Sequence, residues 1–391
     1  MRVLQLSKFY APIRGGIETV AWELSEGLAR AGVRADVLCS NQHRLNTRER
    51  YEAGYEVLRA ASWGMLLSTS LAPAMARHLR RIASDYELLH VHMPDPMAAM
   101  AIWLAKPQCA LVVHWHSDVI RQRRALKLYE PLQRWLLQRA DAVIATSQPY
   151  ADASPALQPW REKIEVIPIG ISERREQACH LQTEALRQRF GGRRIVFSLG
   201  RMTYYKGFDV LIQAALELPD DCVVLIGGDG EMLAHNRALV ESLGLADKVH
   251  LLGHVNDGEL PSHYAACEVF CMSSTVRSEA YGVAMVEAMA MGKPIVATDI
   301  VGSGVPWVNR DGHTGYNVPV RQPAALAAAL RRLLSDSTLR QRMGEAARHR
   351  YQQSFNATQM THRTLALYQR LLAPASGAPS ERLDERLNWI R

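Results

Sequence analysis

Short apolar runs recur along this chain at intervals that leave room for one helix between neighbours, and they do so in two successive series. The first series runs Val3-Leu-Gln-Leu6, ADVLCS, YEVLRA, LLHVHM, CALVVHWH, DAVIATS and IEVIPIG. The second runs RRIVFSLGR, CVVLIGGDG, VHLLGHV, VFCMSS and PIVATD. Strands alternating with helices predict parallel sheets covered by helices on both faces. Two such series in 391 residues predict two doubly wound α/β domains. We expect the first domain over residues 1–170 and the second over 171–372, with Pro168 to about Gln182 carrying the connection.

Several classes are disfavoured early. The start, Met1-Arg-Val-Leu-Gln-Leu, reads as a strand and lacks the long apolar core and cleavage site of a secretory signal. No run reaches the ~18 uninterrupted apolar residues that a membrane span needs. The six cysteines are scattered, and the one close pair, Cys267 and Cys271, has no matching pair to complete a zinc site. They read as reduced core thiols of a cytoplasmic protein.

The net charge is +7, and residues 1–170 hold 21 Lys/Arg against 16 Asp/Glu. Within residues 119–139, Arg121, Arg123, Arg124, Lys127, Arg134 and Arg139 face only Glu130, with Leu132, Trp135, Leu136 and Leu137 supplying apolar surface. A basic amphipathic helix fits peripheral contact with an anionic membrane or an acidic acceptor. It fits equally a solvated outer helix packed on a sheet. Nucleic acid is not expected, because no aromatic and basic interleaving accompanies the charge.

The stretch RSEAYGVAMVEAMAMGKPIVAT, residues 277–298, carries two glutamates eight positions apart in an otherwise buried-looking segment. From Gly282 the residues favour helix, and Gly292-Lys-Pro294 is a stop signal. Glu279 then lies just before the helix and Glu287 about one and a half turns inside it, some 10–12 Å apart at ~1.5 Å rise per residue. Between them the helix N-terminus offers free N–H groups and partial positive charge. Such a pocket takes an anion with a hydroxyl-bearing group on each side, the layout of a nucleotide sugar; the plainer reading is that both glutamates are solvated and cap the helix.

In open α/β sheets, ligands sit at the carboxyl ends of the strands. Those ends carry Gly15-Gly16, His90-Val-His92 and His114-Trp-His116-Ser-Asp118 in the first half. In the second they carry Arg201 to Lys206-Gly207, Gly227-Gly-Asp-Gly230, Gly253-His254 and the Glu279–Glu287 segment. The two histidine pairs sit at i,i+2 and share a strand face. A His-rich metal site is the sharper reading of them. The blander one gives one histidine to substrate and the others to backbone groups, and we adopt it. A Ser-His-Asp triad from His116, Ser117 and Asp118 is rejected, since contiguous strand residues cannot adopt that geometry.

These motifs together carry a resemblance. GGIE near the start, HWHSD at 114–118, GRMTYYKG at 200–207, SEAYGVAMVEAMAMGKPIVAT and DGHTG at 311–315 occur in order over nearly the full length. The chain resembles the retaining GT-B glycosyltransferases marked by E-x7-E, the glycosyltransferase family 4-like group. The resemblance implies two Rossmann-like domains facing across a cleft, the N-terminal one binding acceptor and the C-terminal one the nucleotide sugar. It also implies a C-terminal helix in 373–391 that returns to the first domain.

By the same resemblance, Gly15 and Gly16 let a backbone loop approach the donor. Arg201 and Lys206 neutralise the diphosphate, and the N–H groups of Tyr281, Gly282 and Val283 cradle it. Glu287 takes the ribose hydroxyls, Glu279 and His116 serve the transferred sugar as the catalytic residues, and His254 and Val255 lie near the base. Neither metal nor cofactor is expected. Retention is assigned to front-face attack, with Glu279 orienting rather than acting as a nucleophile, since a retaining glycosidase needs carboxyls ~5 Å apart. HWHSD with Arg121-Gln122, and GSGVPWVN at 302–309, resemble bacterial mannosyltransferases that use GDP-mannose to build surface polysaccharides such as lipopolysaccharide on lipid-linked or oligosaccharide acceptors. A UDP-sugar donor and a non-catalytic sugar-nucleotide-binding subunit stand as alternatives.

Overall fold

The computed structural model describes residues 1–13, 15–67, 69–119, 123–172 and 178–373. The first sheet has eight strands in the order Ile164–Val166, Ala142–Ala145, Ala110–Trp115, Leu88–Met93, Arg2–Ser7, Arg34–Ser40, Glu56–Ala60 and Thr47–Arg50. All neighbours are parallel except the last pair. The second has six parallel strands in the order Val249–Gly253, Cys222–Gly227, Arg194–Leu199, Val269–Met272, Ile295–Asp299 and Gly315–Pro319.

Central strands such as Leu88–Met93 and Cys222–Gly227 are buried along their whole length. That is why they read as continuous apolar runs rather than as alternation. Thr47–Arg50 carries no such signal: it is exposed throughout and is held at the edge by Arg48–Glu56 and Arg59–Glu49 ion pairs. All six cysteines are free thiols, and burial pushes Cys39, Cys222 and Cys267 up to about 12.

One apolar core runs through both domains. It links Val3, Val20 and Leu24 through Ile167, Ile169 and Ile171 to Tyr281, Phe355 and Tyr368. The crossing points are hydrogen-bonded to each other: Ile171 N–H donates to Phe355 O at 3.0 Å, and Ala357 N–H donates to Ile171 O at 2.8 Å. From there the helix Ala357–Leu372 packs on the helix Gly16–Arg30 of the first domain. Its Tyr368 hydroxyl meets His90 Nδ1 at 2.6 Å. The return to the first domain is therefore made by Ala357–Leu372, and the two connections between the domains cross at 170–171 and 355–357. The helix expected in 373–391 lies, but for Ala373, outside the described residues.

The basic segment follows the packed-helix reading on its apolar side. In the helix Arg123–Arg139, Leu136 and Leu137 are buried, and Leu132 and Trp135 are packed against the first domain's second core cluster. The apolar face expected to meet a membrane is spent on the protein's own sheet. Among the described residues no helix is long and apolar enough to cross a membrane.

Candidate active site

The helix Val283–Ala290 forms where the sequence placed it, and Gly282 caps it at φ 90°. A side chain there would be strained at that φ, and its Cβ would stand 2.9 Å from Met272 Sδ. No side chain caps the helix, so its first N–H groups point out of the N-terminus. Glu279 and Glu287 are both buried, at 8% and 5% exposure. Glu287 Oε2 accepts from Tyr264 OH at 2.7 Å. Tyr281 turns its hydroxyl away, to Ile169 O at 3.1 Å, which leaves its backbone as the part available at the helix mouth.

Lys206 and Glu279 come together across 73 positions of sequence. Lys206 Nζ stands 2.5 Å from Glu279 Oε2, and Ser274 Oγ donates to the same oxygen at 3.0 Å. Burial by itself would pull the Lys206 ammonium down. The Glu279 charge, the nearby Tyr205 and the hydrogen bond reverse this, so Lys206 ends above its ordinary value and stays cationic. Arg201 is exposed and lies close enough to Lys206 to oppose it, and close enough to Lys8 and Glu18 of the first domain to influence both. Those two groups were not anticipated. Burial lowers Lys8 against the pull of Glu18 and Asp95, and burial raises Glu18 against Lys8 and Arg201.

Gly15 belongs to this cluster through its lack of a side chain. A Cβ there would stand 2.2 Å from Glu18 Oε2, so the carboxylate folds back over the loop into the space glycine leaves. Gly16, the first residue of the helix, is exposed with nothing within 4 Å of a notional Cβ. Asp95 caps the helix Pro96–Ala105, accepting from Met97 N–H at 3.0 Å and Ala98 N–H at 3.3 Å. Its other oxygen has no partner among the described residues, and burial raises its carboxyl to about 6.

A carboxyl with a raised folded pKa binds its proton more tightly when folded. Ionisation of Asp95 therefore costs stability above pH 6, and the cost fades as pH falls from 6 toward 4. Asp95→Asn keeps a good cap while removing the charge. The variant should unfold at higher urea than the parent at pH 8, by up to about 3 kcal/mol for a shift of about two units, and the gap should close by pH 4. A gap that does not change with pH would contradict this reading of Asp95.

His116 ends the strand Ala110–Trp115 and is 6% exposed, and burial pushes it down to about 3. Two residues on, Asp118 accepts from Trp115 Nε1 at 3.0 Å and from Ser154 Oγ at 2.6 Å, and pairs with Arg277 of the second domain. Arg277 also donates to Ala153 O at 2.6 Å and lies over the Tyr150 ring. This contact brings the end of the His116 strand to the start of the Glu279 segment. The four histidine rings stack on one face as their spacing required, with His114 and His116 centroids 4.1 Å apart. His90, His92 and His114 offer nitrogens within 4.8 Å of one another. Those nitrogens are mostly spent already, His90 on His114 and Tyr368, and His92 on His116 and Gln5. A metal would have to break these bonds.

His254 and Val255 line a cavity of about 680 Å³ along the edge strand Val249–Gly253, with Arg189, Arg237, Glu241 and His263. Val255 also packs at Gly227, where a notional Cβ would stand 2.9 Å from its Cγ2, one residue before the Gly228 that meets the Gly200 backbone.

Two parallel-sheet domains, joined by two chain crossings and presenting cations and a helix N-terminus at strand ends, define a GT-B enzyme. The comparisons agree with this. The family model for Glycosyltransferase Family 4 matches residues 14–175, and that for Glycosyl transferases group 1 matches 183–350. O-antigen chain mannosyltransferase C of Escherichia coli is 32% identical over 379 residues, covering 96% of this chain and 100% of the relative. D-rhamnosyltransferase WbpZ of Pseudomonas aeruginosa is 34% identical over 359 residues, covering 91% and 93%. The fold of a sucrose-phosphate synthase from Thermosynechococcus elongatus superposes with a TM-score of 0.79 at 22% identity, over 96% of this chain and 100% of that one. This chain belongs to the glycosyltransferase group 1, family 4-like enzymes, and it is a glycosyltransferase.

Proposed function

We propose that this enzyme transfers mannose from GDP-mannose, with retention, to a lipid-linked or oligosaccharide acceptor in cell-surface polysaccharide synthesis. The observation that carries the reading is the Lys206–Glu279 pair at the mouth of an uncapped helix, joined to the His116 strand through Asp118 and Arg277. Lys206, Arg201 and the N–H groups at Tyr281, Gly282 and Val283 hold the diphosphate. They stabilise the charge that grows on it as the sugar–phosphate bond breaks. The acceptor oxygen attacks the same face, its proton passes to the departing phosphate oxygen, and the configuration is kept. Glu279 Oε2 already accepts from Lys206 and Ser274, which suits an orienting group better than a nucleophile. Glu287 takes the ribose hydroxyls, and no metal is required. The mannosyl donor is supported by full-length similarity to a mannosyltransferase.

A second reading, transfer of D-rhamnose, is favoured by the 34% identity to a D-rhamnosyltransferase. D-Rhamnose is mannose without its 6-hydroxyl, so the two donors differ in one group. Product analysis by NMR after incubation with GDP-mannose and a lipid-linked acceptor tests both. An α-mannosyl product supports the first reading, a β-linked one overturns retention, and turnover of the 6-deoxy donor alone favours the second.

Membrane contact belongs to the same proposal. Three helices, Ala74–Ile82, Pro96–Ala105 and Arg123–Arg139, pack side by side on the first sheet. The middle one exposes Met100, Trp103 and Leu104 at helical spacing, while its neighbours expose Arg77, Arg80 and Arg81 on one side and Lys127 and Arg134 on the other. An apolar stripe between basic rows fits an anionic bilayer surface. The proposed contact uses the outer face of the three-helix layer rather than the apolar side of residues 119–139.

A further inference from the structure

His116 closes the strand that the Asp118–Arg277 contact ties to the second domain, and what it can do there depends on which ring nitrogen carries its proton. A series of buried hydrogen bonds decides this. Ser25 Oγ donates to Ala21 O at 2.9 Å, which leaves its lone pairs to accept from Gln5 Nε2 at 2.7 Å. The Gln5 amide is thereby oriented, and its Oε1 faces His92 Nε2 at 2.8 Å. An amide oxygen can only accept, so His92 Nε2 carries the hydrogen. His92 is fully buried, and burial, followed by its ring neighbours, holds it well below its ordinary value and therefore neutral. A neutral ring protonated on Nε2 leaves Nδ1 as an acceptor, and His116 Nε2 stands 2.9 Å from it. His116 must then donate from Nε2.

We propose that Gln5 and His92 are positioning residues that lock His116 as its Nε2–H tautomer, so that Nδ1 meets a hydroxyl of the donor sugar as a hydrogen-bond acceptor. The proposal rests on the reading that His116 serves the transferred sugar. His116 Nδ1 has no protein partner among the described residues, and it is the ring's remaining polar atom. In the locked tautomer His116 accepts from a sugar hydroxyl and cannot act as a general acid. The neighbouring series, Tyr368 to His90 to His114, has no such anchor, because a hydroxyl can donate or accept. It ends at His114 Nε2, which has no partner among the described residues. Only the series through Gln5 has a fixed direction.

The test is a long-range proton–nitrogen spectrum of the full chain labelled with 15N-histidine at neutral pH, with His116 assigned from His116→Asn. A pyridine-type shift at Nδ1 and a pyrrole-type shift at Nε2 are expected, and the reverse pattern or averaged shifts would overturn the lock. Gln5→Met should average the His92 and His116 shifts and lower kcat/KM about 10-fold, the equivalent of one hydrogen bond. His92→Gln, which still offers an acceptor to His116, should retain more activity than His92→Phe. Unchanged His116 shifts in Gln5→Met would remove Gln5 from the role. Should these variants fail to fold, the spectrum of the parent protein decides alone. The expected tautomer together with full turnover by His116→Ala would overturn the sugar contact while leaving the lock in place.

Discussion

Lys206→Ala is expected to lower kcat/KM at least ~100-fold, the usual scale for removing one fixed charge-stabilising donor. Lys206 is the one basic side chain bonded to Glu279 among the described residues. It stays cationic because the glutamate charge outweighs its burial. The charge on the leaving diphosphate grows as the sugar bond breaks, so a cation held there in advance lowers the barrier rather than merely tightening binding. The loss should fall mainly in kcat, with the circular dichroism spectrum unchanged, since Glu279 keeps its bond from Ser274. Turnover within a few-fold of the parent would remove Lys206 from the site.

Glu279→Ala is expected to do two things at once. Activity should drop by a comparable ~100-fold, because Lys206 loses the group that aims it. Stability should fall by about 3 kcal/mol, the low end for leaving one member of a buried pair without its partner. Lys206→Ala removes the same pair from the other side and leaves a carboxylate that Ser274 still serves. The double variant should therefore cost less stability than the sum of the two single changes, with a coupling of about 1–3 kcal/mol for residues in direct contact. Strict additivity in urea unfolding would mean that the 2.5 Å contact contributes nothing.

What could be read from the sequence follows from range. The helix at Val283–Ala290, its glycine cap and its stop at Gly292 are local, and the residues that make them are adjacent. The same holds for the strand runs, whose burial on both faces leaves a continuous apolar record. The stacking of the four histidines followed from two i,i+2 pairs once their strands were neighbours. The Asp118–Arg277 contact joins positions 159 residues apart and leaves no local mark. Lys8 and Glu18 carry no local sign of a shared role, and it is the approach of Arg201 that shows them to be part of the cluster. A sign of Glu18 was present in Gly15, since a glycine three positions before a first-turn glutamate leaves room for the carboxylate to fold back. Of the two readings of residues 119–139, the fold bears out the helix packed on a sheet for Leu132, Trp135, Leu136 and Leu137. Sequence shows that a helix has an apolar face, and the fold decides whether the protein's own core takes it.

The most direct test of the nucleotide-sugar site is the thermal stability of the purified protein against GDP, GDP-mannose, UDP and UDP-sugars, with EDTA present. A ligand at 100 times its dissociation constant adds about 2.7 kcal/mol to the folded state. GDP and GDP-mannose are expected to raise the melting temperature, and Lys206→Ala should lose more of the shift with GDP, which carries the departed group's full charge, than with GDP-mannose. A shift with UDP compounds alone would keep the site and overturn the donor. No shift with any nucleotide at saturating concentration would contradict the site itself.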